Sequence, residues 1–293
     1  MTPRSSAAGV GPLVSARELL ETSEAAILLD ATVVLPPPEE DGPGAARSGA
    51  ERFAQGHPAG AVHADLLGEL ADHTRLFRFA HPGGPELASR VAALGAGAGT
   101  LPVAYDDGGM MWAARLWWGL SAAGIDARVL DGGLEAWRGA DGPTERGPSA
   151  PVAASEPVAA RPRPERFADR ERVLRVIAGD EEAQLVCTLS PDVFAGRGPS
   201  RYSRPGHIPG SSNAPAHDLL AEDGRLLDRA RLREALAHLI DDPRPVLLYC
   251  GGGISASLVA LGLTVAGRGD VAVYDGSLEE WSADPSLPLE VSS

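Results

Sequence analysis

Two cysteines, Cys187 and Cys250, are all that the 293 residues contain. So few exclude a disulfide framework, and their wide separation excludes a structural zinc site, whose ligands come in close pairs. Aromatic residues are scarce, at 5% of the chain, and no apolar run approaches the roughly 20 residues that a membrane-spanning helix needs. Basic residues fall short of acidic ones, 26 against 40, and the formal net charge of −14 repels nucleic acid and anionic membrane alike. Met1 to Pro12 lack the basic and apolar regions of a secretory signal, so a cytoplasmic protein is expected, with neither metal nor cofactor. What the chain does have is 35 glycines and 25 prolines among 44% hydrophobic residues. That composition predicts a globular protein of short elements and many turns, long enough for two cores.

The chain repeats itself. Leu101-Pro-Val-Ala-Tyr-Asp106 has a counterpart in Arg244-Pro-Val-Leu-Leu-Tyr-Cys250, which puts Asp106 where the second copy has its cysteine. Asp131-Gly-Gly-Leu-Glu-Ala-Trp137 and Asp275-Gly-Ser-Leu-Glu-Glu-Trp281 each begin 25 residues later, from 106 to 131 and from 250 to 275. Upstream, Gly56-His-Pro-Ala-Gly60 with Asp65-Leu66 resembles Gly206-His-Ile-Pro-Gly210 with Asp218-Leu219. Two copies of one unit follow: a first domain over 1–138, an interdomain linker rich in Pro, Ala and Arg over 139–166, and a second domain over 167–293. Pro36 to Gly49 reads as a surface insertion in the first copy.

Within the copies, apolar runs of strand length alternate with helical patterns. Gln184–Cys187, Val246–Tyr249 and Val271–Tyr274 read as buried strands. Leu232, Leu236, Leu239 and Ile240 share one helical face, as do Leu87, Val91 and Leu94. The alternation predicts two α/β domains, each a mainly parallel sheet with helices on both faces.

Cys250 ends one of these strands and is followed by Gly251, Gly252 and Gly253, then by a helical pattern from Ile254 to Val265. Glycines let successive N–H groups curl around an anion, and the helix N-terminus adds its dipole. Such a setting favours a thiolate and equally a persulfide, which is also anionic. A thiolate so held can attack a sulfane sulfur, after which an acceptor nucleophile would remove the outer sulfur from the covalent intermediate.

At these residues the chain resembles the tandem-domain rhodanese family of thiosulfate and 3-mercaptopyruvate sulfurtransferases. The resemblance rests on Gly206 to Ser211, on the six-residue loop Cys250 to Ser255, and on the two Asp-Gly segments that lead to Trp137 and Trp281. It implies two rhodanese-like domains and a catalytic Cys250, with Gly251, Gly252, Gly253, Ile254, Ser255 and Ala256 holding the persulfide. It further implies a non-catalytic first copy, whose Asp106 replaces the cysteine and whose Asp107-Gly-Gly-Met-Met-Trp112 is similar to the family's inactive loop, and a site at the domain interface that Asp65 approaches. The implied partners are a small sulfur donor and a thiophilic acceptor, or a protein filling either role.

The donor side departs from the family pattern. Gly251 and Gly252 stand where thiosulfate sulfurtransferases carry Arg and Lys, and Gly252 stands where mercaptopyruvate enzymes carry a serine. Leu189 and Val193 occupy the places of two arginines, so Arg197, Arg201 and Arg204 are the expected substitutes. Ser255 is expected to donate a hydrogen bond to the sulfur. Cys187 reads as core packing, His57 and His207 as turn residues, and the tryptophans as anchors.

Three other readings compete. A cysteine phosphatase needs an arginine six residues after its cysteine, and that position is Ala256. A non-catalytic binding module would explain the missing cations but not the retained glycine loop. A dedicated sulfur carrier would explain both.

Overall fold

The computed structural model describes residues 11–22, 25–37, 45–148, 150–151, 153–154, 156, 158–197 and 200–292. Five parallel strands form each of two sheets. The first holds β1 (Leu13–Val14), β2 (Ala26–Asp30), β3 (Val62–His63), β4 (Leu101–Tyr105) and β5 (Arg128–Leu130), in the order β1-β5-β4-β2-β3. The second holds β6 (Phe167–Ala168), β7 (Gln184–Cys187), β8 (Ser212–Asn213), β9 (Val246–Tyr249) and β10 (Val271–Tyr274), in the order β6-β10-β9-β7-β8. Adding five to every label of the first sheet reproduces the second, so the duplication seen along the chain is a duplication of topology. The three strands expected in the second copy have the bounds read from the sequence.

The helices that matter for the site are α1 (Gly84–Ala93), α2 (Met111–Ala122), α3 (Gly133–Gly139), α4 (Arg229–Ala235), α5 (Ile254–Ala266) and α6 (Ser277–Ala283). Apolar all round, α5 buries Leu258, Val259, Ala260, Leu261 and Leu263 completely, as expected of a helix with no solvent face. It lies against α2, and one continuous apolar core joins Leu116, Trp117 and Leu120 of the first half to Leu258 and Leu261 of the second. The opposite face of the second sheet is covered separately, around Tyr249, Tyr274 and Trp281. Of the expected helical face, Leu232, Leu236 and Leu239 are buried and Ile240 is half-buried, but the helix breaks at Leu236, and Ala237–Ile240 forms a separate turn.

The segment read as a linker is partly anchored. Thr144–Glu145 pairs antiparallel with His57–Pro58, and the N–H groups of Arg161 and Arg163 bond to the carbonyls of Ala123 and Ala122. The anchor is local, since Trp137 donates its Nε1–H to Pro143 and packs over Gly142, where a Cβ would stand 2.4 Å from the indole. Of the expected insertion, residues 38–44 lie outside the described residues. Its flanks pair, Val33–Val34 with Arg47–Ser48.

A buried ion pair locks the two halves. Arg115 of α2, 4% exposed, donates to Asp275 of the second half and to the carbonyl of Phe79, while Asp275 also accepts from the His81 N–H. Removing one member strands a buried charge. Arg115→Met is therefore expected to lower the unfolding free energy by about 3 kcal/mol, read from urea denaturation. A loss under about 1 kcal/mol would show that the pair holds nothing together.

Candidate active site

Cys250 follows β9, the central strand of its sheet, and Asp106 follows β4, the central strand of the other. The carboxyl end of a parallel sheet, with a helix starting just beyond, is where α/β proteins place their chemistry. Both loops are tied down by the same bonds. Leu134 N–H donates to the Asp106 carbonyl at 3.0 Å, and Leu278 N–H to the Cys250 carbonyl at 3.0 Å. The Asp-Gly segment therefore keeps its distance along the chain because its helix, α3 or α6, must latch the loop. Glu279 N–H adds a bond to the Gly251 carbonyl, and Ser277, at φ 48°, brings its Oγ to the Cys250 N–H.

The two loops differ in what their amides hold. In the first copy the Asp106 carboxylate, fully buried, accepts from the N–H groups of Gly108, Met110, Trp112 and Ala113 at 3.0–3.1 Å. Burial pushes its carboxyl up to about 7, against the pull of these same bonds. In the second copy the N–H groups of Gly251 to Ala256 take no acceptor among the described residues. Counting from Asp106 to Cys250, Gly252, Ile254 and Ala256 stand at the positions of Gly108, Met110 and Trp112. Gly253 adopts φ 78°, and a Cβ there would meet Arg115 Nη1 at 2.6 Å, so only glycine fits.

Cys250 opens onto a cavity of about 290 Å³ between the halves. From the second half it is lined by Leu189, Arg201, Tyr202, Gly251, Gly252, Ile254, Ser255 and Glu279. The first half contributes Val33, Leu35, Arg78, Phe79, Met111 and Trp112, a wall that is apolar except for Arg78, which pairs with Glu279 at 3.0 Å. Phe79, at φ 61° and 5.2 Å from the Trp112 ring, is held in a strained conformation of the kind that clusters at functional sites.

The residues expected at the site do not all reach it. Arg201 lines the cavity and donates to the Pro36 carbonyl. Arg204 instead spends its guanidinium on the carbonyls of Trp281, Ser282, Asp284 and Leu287, clamping the C-terminal turn. Arg197 lies on the surface beside Asp192, because the turn at Gly196 aims it outward. Asp65 caps its own loop through the N–H groups of Leu67 and Gly68 and is absent from the cavity wall. The Ser255 hydroxyl is shared with Thr188 at 2.9 Å. His57 and His207 stack on Phe53 and Phe194 and bond through Nδ1 to those residues' carbonyls, which gives them matching structural places. Cys187 is fully buried, and burial pushes its thiol up to about 12.

Tyr202, Glu279 and most of the first-half wall stand at the site with no sequence signal to place them there. Tyr202 sits against the loop so closely that a Cβ on Gly251 would stand 1.9 Å from its hydroxyl. Only the loop Met110–Trp112 carried a signal, through its likeness to the glycine loop of the other copy.

The known proteins that this chain is similar to point one way. It is 38% identical to a Mycobacterium tuberculosis protein named as a thiosulfate sulfurtransferase, SseB, over 81% of this chain and 84% of that one. It is 33% identical to human 3-mercaptopyruvate sulfurtransferase, over 87% and 84% of the two chains. The crystal structure of the 3-mercaptopyruvate sulfurtransferase SseA from Escherichia coli superposes with a TM-score of 0.74 at 26% identity, covering 92% of this chain and 99% of that one. The rhodanese-like domain matches twice, over residues 15–140 and 184–284, and the chain belongs to the rhodanese-like family as a tandem, two-copy member.

Proposed function

We propose that this sulfurtransferase carries the transferred sulfane sulfur on Cys250 and holds the persulfide with the N–H groups of Gly251 to Ala256. One observation carries the assignment: in the matching loop, four N–H groups converge on the Asp106 carboxylate. A loop of this shape solvates an anion at the position of Cys250, and its N–H groups have no other acceptor among the described residues. Fixed donors cost no reorganisation when negative charge moves from the thiolate to the outer sulfur.

The cycle has two displacements. The Cys250 thiolate attacks the outer sulfur of the donor; a sulfur–sulfur bond forms and the donor's own bond to that sulfur breaks, its electron pair leaving with the remainder. A thiophilic acceptor then attacks the outer sulfur of the persulfide and returns the thiolate. Arg201 lines the cavity, and we assign to it the anionic group of a small donor. Thiosulfate and 3-mercaptopyruvate, the donors in the relatives' names, are the substrates to test first, with a protein persulfide as a third.

In this reading 1–138 form the non-catalytic domain, 139–166 connect it, and 167–293 form the catalytic one. No helix among the described residues is long and apolar enough to cross a membrane. Two unpaired cysteines suit the reducing cytoplasm.

Intact-mass spectrometry tests the proposal. After incubation with each donor the protein is expected to gain the mass of one sulfur atom, and cyanide is expected to remove it. A chain that gains no sulfur from any of the three donors is not working through a persulfide.

A further inference from the structure

Two hydroxyl-bearing side chains line the cavity among the described residues, Ser255 and Tyr202. Ser255 is bonded to Thr188. Gly252 has no side chain to offer. The other tyrosines of the second half are also engaged: Tyr249 with Ile208 and Ser211, and Tyr274 with Glu280. Tyr202 differs. Its ring is fixed by packing against the core on the far face of the sheet, its hydroxyl touches the backbone of the residue after Cys250, and that hydroxyl takes no hydrogen-bond partner among the described residues. A spare O–H donor held by a rigid ring against the reacting loop, at a cavity whose first-half wall is apolar but for Arg78, is placed to give up a proton.

We propose that Tyr202 is a catalytic proton donor, and that it suits this site to sulfur donors whose leaving group departs on carbon, the 2-oxo-3-thiol class. The proposal rests on the persulfide reading above. When the Cys250 thiolate takes the sulfur of such a donor, the carbon–sulfur bond breaks and leaves an electron pair on carbon as an enolate. The Tyr202 O–H gives its proton to that carbon, making a methyl group. The phenolate then takes the proton that arrived on the donor's thiol and now sits on the outer persulfide sulfur. The site is left with a persulfide anion and a neutral phenol, and no oxidant, reductant or further acid is needed. Burial first, then the negative charge of a Cys250 thiolate, pushes the phenol well above the ordinary tyrosine range, so it is present as the O–H form when the thiolate attacks. A donor such as thiosulfate makes no such demand, because sulfite leaves as a stable anion.

Tyr202→Phe keeps the ring and removes only the oxygen. The test is the single-turnover rate of sulfur addition to Cys250, followed by quenched-flow mass spectrometry with 3-mercaptopyruvate and with thiosulfate. The rate with 3-mercaptopyruvate is expected to fall about 100-fold more than the rate with thiosulfate, the size of a lost general acid. A second variant returns a hydroxyl from the glycine loop itself, at Gly252. A Cβ on Gly252 meets only Glu279 Oε2 at 3.4 Å and Phe79 Cδ2 at 3.6 Å, so a serine fits there. Gly252→Ser in the Tyr202→Phe protein is expected to recover about tenfold of the loss with 3-mercaptopyruvate. Equal effects of Tyr202→Phe on both donors, or no effect on either, overturn the assignment of Tyr202 while leaving the persulfide in place. A wild-type protein that loads from thiosulfate but not from 3-mercaptopyruvate does the same. A wild-type protein that loads from neither removes both the assignment and the small-donor reading beneath it.

Discussion

Cys250→Ser is expected to take up no sulfur from any donor and to lose at least about four orders of magnitude in thiocyanate formation from cyanide. The serine oxygen would sit in the same loop, facing the same amides, with the bond from the N–H of residue 250 to Ser277 Oγ intact. What it lacks is an accessible anionic form and the affinity of sulfur for sulfur. Cys187 offers no substitute. It packs with Tyr249 and Tyr274 on the opposite face of the sheet, and its thiol, pushed up by burial to about 12, stays protonated. Folding should be nearly unchanged, because the replacement is close in volume and Cys250 is 2% exposed in a site that tolerates a polar atom. Thermal melting and intact mass of the same sample separate the two effects. A Cys250→Ser protein that still gains a sulfur lost to cyanide would move the chemistry elsewhere and end the case for this loop.

Asp106→Ala should have the largest effect on stability. The carboxylate satisfies four N–H groups at once, in a place with no exposed surface. Truncation leaves them without an acceptor, and each buried group without a partner costs about 1–3 kcal/mol, reduced where water enters the space. A loss of roughly 3–5 kcal/mol in unfolding free energy is expected from urea titration, at the upper end for a single substitution. Asp106→Asn keeps one acceptor oxygen and turns the other into a donor facing two N–H groups, so it should recover only part of the loss. The loop also carries Met111 and Trp112 to the cavity wall, so Asp106→Ala should slow sulfur loading of Cys250 although the two residues lie in different halves. A variant within about 0.5 kcal/mol of wild type would mean that the loop finds other acceptors.

The duplicated features were legible because each is a local device held at a fixed distance along the chain. The bond from Leu134 to Asp106 recurs from Leu278 to Cys250. The stacked His57 on Phe53 recurs as His207 on Phe194. Strands of uniform apolar character, such as Val246–Tyr249, are buried on both faces, and the residues that flank them mark their ends. The helix around Leu236 was less legible, since periodicity reports a buried face and not the continuity of the backbone beneath it.

The donor side of the site could not be read in this way. Arg197, Arg201 and Arg204 lie within one short stretch, yet turns send the first to solvent, the second to the cavity and the third under the C-terminal carbonyls. Tyr202 had no motif, and its meaning comes from the missing side chain of Gly251, 49 positions away from 202 to 251. The wall of Val33, Phe79 and Trp112 belongs to the other copy altogether.

The two-copy α/β architecture, the cysteine at the end of an apolar strand and the glycine loop that can hold an anion are written in the order of the residues. Each follows from local periodicity, backbone freedom and repeated spacing. What faces that cysteine is a matter of packing. The facing groups are set by how α2 packs on α5 and by where the Arg115–Asp275 pair locks the halves, and contacts between distant segments have no signature within either segment.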